Sequence, residues 1–152
     1  MSSEAVAIAT LDDHKKAFNE VAFLLDIFTT TIDNIMGGAT APVGRIAGRE
    51  MARKLPVYLQ NPSLEETITL LAARMKSGFD FSLEKPEQGE ELLFKRCVLR
   101  DACALRGMPM GGATCRLFHS YLDGIMNELV SRPVKSEIVS CGAECRTRIK
   151  TQ

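Results

Sequence analysis

The sequence has no excess charge, no long apolar run and, through its first 96 residues, no cysteine. Its 19 basic and 19 acidic side chains cancel. A balanced chain lacks the broad basic surface that phosphate backbones require, so no nucleic-acid partner is expected. No apolar stretch approaches the length that crosses a bilayer, and no membrane partner is expected either. Met1 to Lys16 lacks a basic start followed by an apolar run, so it does not read as a secretory signal. These absences point to a cytoplasmic, reducing compartment. Five cysteines there are not a disulfide framework, and their odd number agrees. Enzyme signatures are also missing: there is no Gly-x-Ser-x-Gly elbow and no Walker loop. The glycines at 37, 38, 44 and 48 do not follow a strand, which removes a dinucleotide fingerprint. The chain reads as a binding or sensing module more than as an enzyme.

What is present is an ordinary globular composition, 45% hydrophobic and 25% charged over 152 residues, which favours one domain spanning residues 1–152. Asp12 or Asp13 can cap a first helix running to about Met36. Phe18, Val21, Ala22, Leu25, Phe28, Ile32 and Ile35 recur along it at three- and four-residue spacing, on one face. Gly37-Gly38 stops it. Pro42 suits the first turn of a second helix, Val43 to about Leu55, closed by Pro56. Gly44 and Gly48 on that helix predict close packing against a neighbour. Ser63 and Glu66 form a capping box for a third helix that continues to Gly78.

The period then changes. Phe79, Phe81 and Leu83 alternate with polar residues, as in a half-buried strand, and Glu91 to Val98 reads as its partner. Asp101 to Arg106 is a short helical turn. Thr114 caps a helix ending near Val130, and Arg132-Pro133 breaks it. Val134 to Val139 and Cys145 to Ile149 are two last strands with a tight connection. This order predicts an α+β domain, a small antiparallel sheet with helices over one face.

Cys97, Cys103, Cys115, Cys141 and Cys145 all fall in the last third of the chain. If the final hairpin pairs as read, Cys141 and Cys145 lie close together, and the ends bearing Cys97 and Cys115 can meet them. Thiolates suit zinc, copper(I) and iron–sulfur clusters. Scattered core or redox thiols are the competing reading. His119, one turn after Cys115, can be a ligand, a proton donor or a hydrogen-bonded core histidine. Glu137 precedes Cys141 by four, an even offset that puts both on one side of a strand.

From Cys115 the sequence runs Cys-x5-Tyr121-x2-Gly124-x7-Arg132-Pro133-x7-Cys141, then Cys145. This resembles the ligand-binding domain family named after 4-vinyl reductase, over about 30 residues. The resemblance implies an α+β fold shared with heme-type gas sensors and TRAPP vesicle-tethering subunits, a hydrophobic small-molecule pocket and frequent homodimers. It also implies zinc held by cysteines matching Cys115, Cys141 and Cys145, with a glutamate three residues before the middle one. This chain has Ile138 there, with Glu137 the nearest acid, and a shorter final cysteine gap. Cys97 and Cys103 are additional, and four or more thiolates equally suit a [4Fe–4S] cluster.

The expectation is therefore a cytoplasmic sensing or accessory module. Cys97, Cys103, Cys115 and Cys145, with or without Cys141, would hold zinc or an iron–sulfur cluster. Phe94, His119 and Tyr121 would stand near an apolar pocket for a small hydrophobic molecule, and output would pass through a partner protein. The alternatives are an iron–sulfur enzyme or reductase component, and a metal-free scaffold subunit.

Overall fold

The computed structural model describes residues 8–55 and 59–151. Pro56, read as the stop of the second helix, and the first residues of the chain lie outside these. Five helices and four strands follow one another as α1 (Leu11–Ile35), α2 (Ala41–Lys54), α3 (Leu64–Arg74), β1 (Phe79–Glu84), β2 (Glu90–Cys97), α4 (Val98–Arg106), α5 (Ala113–Val130), β3 (Val134–Ser140) and β4 (Cys145–Thr151). The sheet is antiparallel throughout, in the order β1-β2-β4-β3. The expected α+β architecture is present. Among the described residues no helix is long and apolar enough to cross a membrane.

Local chemistry explains most boundaries. Ser63 and Glu66 form the expected capping box: the Glu66 N–H donates to Ser63 Oγ at 3.1 Å, and the Ser63 N–H donates to Glu66 Oε2 at 2.9 Å. The cap of α1 is Thr10, not Asp12 or Asp13. Asp13 is the return arm of a second capping box, with its carboxylate 2.8 Å from the Thr10 nitrogen. Thr114 is likewise not a cap. Gly112 occupies that place, and Thr114 sits two positions on, in the first turn, 5% exposed. Its hydroxyl meets that of Thr29 at 2.9 Å and ties α5 to α1. The third helix stops at Arg74, short of Gly78. The turn at Asp101 is part of a full helix, α4, which leaves β2 directly at Val98.

The apolar face expected of α1 is in fact two. Ala22 and Thr29 are buried and Phe18, Leu25 and Ile32 half-buried, whereas Val21, Leu24, Phe28 and Ile35 are 60%, 53%, 63% and 77% exposed. Polar ties do much of the anchoring: Arg106 reaches Asp26 at 3.5 Å and Arg116 reaches Asp33 at 3.2 Å. The core lies between the sheet and the helices α3 and α5. It contains Ile68, Leu71, Phe81, Leu92, Phe94, Leu122, Ile125, Met126, Val134 and Ile149.

Helix α2 meets α5 almost backbone to backbone, as Gly44 and Gly48 predicted. A β-carbon at Gly44 would stand 2.6 Å from Ser120 Cβ. One at Gly48 would collide with the Tyr121 carbonyl, and one at Gly124 with the Arg45 carbonyl. Interiors this dense cannot yield without moving a helix. Alanine has the better helix propensity by about 1 kcal/mol, but overpacking costs about 1–3 kcal/mol. Gly48→Ala is accordingly expected to lower unfolding free energy by about 1 kcal/mol or more. A urea titration checks this; an unchanged or raised midpoint would mean that the two helices are not locked here.

Candidate functional site

Four sulfurs separated by up to 48 positions face one small chamber. Cys97 ends β2, Cys115 lies in the first turn of α5, and Cys141 and Cys145 flank the loop between β3 and β4. The pairing of Phe94 with Cys145 fixes the loop against β2. Arg100 locks its far side. Its guanidinium donates to the Gly142 carbonyl at 2.7 Å, to the Ala143 carbonyl, and to the Lys95 carbonyl at 3.3 Å. Gly111, at φ 76°, lets the opposite loop pass close to Cys141 Sγ. Phe94, Phe118 and His119 complete the wall. The cavity is about 20 Å³, room for a single water or ion.

Cys103 is not in this wall. It is fully buried on α4 and backs onto the Cys115 thiol. The set drawn from the sequence thus changes: Cys141 joins Cys97, Cys115 and Cys145, and Cys103 stands behind them. Glu137 does not approach. A register shift between Ile138 and Ser140 breaks the alternation that would have put it beside Cys141. It faces Lys150 instead, at 3.8 Å.

The electrostatics of the chamber favour neutral groups. Burial pushes the Cys103 thiol up to about 12 and the Cys141 thiol up to about 11, and the neighbouring sulfurs add to both. Burial raises Cys97 as well. Adjacent thiols cannot all ionise unless a positive charge joins them. Soft donors around a small cavity suit a thiophilic metal in kind. Their spacing is looser: among the described residues no three His, Cys, Asp or Glu side chains stand close enough to share an ion.

His119 is the second buried donor. It lies edge-on to Phe94 and Phe118, with centroids 5.4 Å away in both cases. Its Nδ1 is buried without a hydrogen-bond partner. Burial holds its pKa down to about 4, so the ring is neutral at neutral pH.

A wider groove lies on the other side of Leu99 and Phe118, which line both spaces. It runs between α1, α2 and α5, has a volume of about 370 Å³, and is walled by Leu25, Ile32, Val43, Ala47, Leu117 and Tyr121. Thr29 and Thr114 also border it, with their hydroxyls turned to each other. That size is within the range of small-molecule pockets. Tyr121 therefore belongs to the groove, while Phe94 and His119 belong to the chamber; the sequence had placed all three together. The groove as such left no motif: its walls are ordinary helix positions on three elements.

No family model matches the sequence, and no curated protein matches it. Among solved structures the fold is similar to the crystal structure of the phenol-responsive sensory domain of the transcription activator PoxR with phenol. The TM-score is 0.54, over 86% of this chain and 73% of that one, at 15% identity. The likeness is one of fold.

The depressed His119 pKa sets a pH dependence. The unfolded chain binds a proton there at about pH 6.5, the folded metal-free protein only at about 4. Stability from this group is whole above the upper value and is lost as pH falls through the window, by about 3 kcal/mol at most. In denaturant titrations from pH 7 to 4, wild type should lose stability relative to His119→Phe as pH falls. Parallel curves would contradict a buried neutral imidazole.

Proposed function

We propose that this chain is a cytoplasmic sensing module of the 4-vinyl reductase type, and that the groove between α1, α2 and α5 receives a small hydrophobic molecule. The observation that carries this reading is the shared wall. Leu99 and Phe118 face the groove on one side and the cysteine chamber on the other. A ligand against them changes the packing of Cys97 and Cys115, which precede those two residues by two and three positions. Occupancy is thus converted into a change at the sulfurs, a coupling that runs equally in reverse. Fold likeness to a phenol-responsive sensory domain supports the class of ligand. The groove is apolar throughout, because the Thr29 and Thr114 hydroxyls at its edge are spent on each other, which favours an apolar molecule. The exposed stripe Val21, Leu24, Phe28 and Ile35 supports self-association along α1, since a helix apolar on two faces buries both. Output then passes to a partner protein.

The test uses phenol and toluene as probes, followed by ligand-observed NMR. Binding of either, abolished by Ala47→Phe with the fold intact by circular dichroism, is the expected result. Equal binding by Ala47→Phe would remove the groove from the account.

A second reading concerns the thiols, and their convergence from three separate elements favours it. Cys97, Cys115, Cys141 and Cys145, with His119 beside them, would hold zinc after a modest closing of side chains; an iron–sulfur cluster would instead need the chamber to open well beyond its about 20 Å³. The group would supply the positive charge that lets adjacent sulfurs ionise, and its binding would add to folding stability. Protein purified without oxygen is expected to carry about one zinc, or iron with matching sulfide, per chain. Cys115→Ser and Cys145→Ser should each abolish this loading. Protein with neither metal, and with five thiols titratable on unfolding, would leave the groove reading alone.

A further inference from the structure

Outside the groove and the chamber, a depression of about 800 Å³ lies around β3 and is basic. Arg45 and Arg49 project into it from α2, and Lys135 and Lys150 from β3 and β4. The chain as a whole has no net charge, so this concentration is local.

The arrangement is unfavourable as it stands. Lys135 and Lys150 are directly opposite each other in the sheet register, and like charges in that position repel. Arg45 and Arg49 are four apart on a helix, which repels in the same way. Among the described residues no carboxylate lies within ion-pair distance of Arg45, Arg49 or Lys135. Two acids are nearby. Glu137 takes Lys150 at 3.8 Å. Asp123 is 3% exposed and accepts from the Ser136 N–H at 2.9 Å, behind the cleft. Counting both acids as ionised, the four cations still leave a surplus of two positive charges.

The Arg49 guanidinium is also held in place. With the Asn127 amide turned to satisfy both of its ends, its oxygen accepts from Arg49 Nη2 at 2.6 Å and from Nε at 3.1 Å, while its nitrogen donates to the Arg132 carbonyl at 2.6 Å. An oriented guanidinium beside a second one suits an oxyanion better than mobile lysines do.

We propose that this cleft is a second ligand site, for a small phosphorylated molecule, with Arg45 and Arg49 as the phosphate clamp and Lys135 and Lys150 as flanking charges. It is separate from the groove, and each can fail without the other.

Isothermal titration with inorganic phosphate and with pyrophosphate, at constant ionic strength against chloride, tests it. Both should bind, pyrophosphate more tightly. Arg49→Ala should weaken binding about tenfold or more, as loss of a charge-assisted contact requires. Ala47→Phe, which fills the groove, should leave phosphate binding unchanged. Thermal melts keep the variants interpretable. Lys135→Gln should lose much of the upward shift in melting temperature that phosphate produces in wild type. Phosphate binding no better than chloride would overturn the proposal. So would equal binding by Arg49→Ala, or selective binding of a dicarboxylate or an acidic peptide in place of phosphate.

Discussion

The backbone contact between α2 and α5 sets the rest of the structure. Gly44 and Gly48 on one helix and Gly124 on the other leave no room for a β-carbon, so the crossing has one allowed distance. Helix α5 is then fixed against the sheet through Leu122, Ile125 and Met126. Its first turns are fixed with it, and these carry Cys115, Phe118 and His119. The groove lies between α1, α2 and α5, with α1 tied to α5 through Thr29 and Asp33 and to α4 through Asp26. A position chosen for packing thus determines both the chamber and the groove.

The chamber and the groove differ in the physical problem each presents. In the groove, apolar walls meet water, and a hydrophobic occupant removes that contact. In the chamber, partly exposed sulfurs stand beside a buried, unpartnered imidazole nitrogen, and their surroundings suppress the charged forms of Cys97, Cys141 and His119. A neutral state of this kind is stable but responsive: a cation would reverse every shift at once. The Arg100 clamp matters here because it holds the loop of Cys141 and Cys145 against β2 whether or not that reversal occurs.

Much of this was legible in the sequence. The element order, the sheet, the Ser63 capping box and the glycine contact all follow from local pattern. The last hairpin also brings Cys141 and Cys145 together as read, and the ends bearing Cys97 and Cys115 line the same chamber. What escaped had nonlocal causes. Val21, Phe28 and Ile35 share helical spacing with Leu25 and Ile32, and periodicity cannot say which of two apolar stripes the domain covers. The shift between Ile138 and Ser140 that turns Glu137 away is invisible without the pairing partner. Thr114 resembles a cap, yet its hydroxyl is committed to Thr29, 85 residues earlier. Cys103, expected among the ligands, stands behind the chamber because α4 is a full helix with its own buried side. Tyr121 and His119, two apart on α5, face different spaces.

The account rests on the groove and the sulfurs sharing a wall. Methyl and cysteine β-carbon NMR shifts, recorded while phenol is titrated in, examine that directly. Shifts at Leu99, Cys97 and Cys115 that saturate together with those of Leu25 and Val43 are the predicted result. Groove resonances that move while every cysteine signal stays still would contradict it.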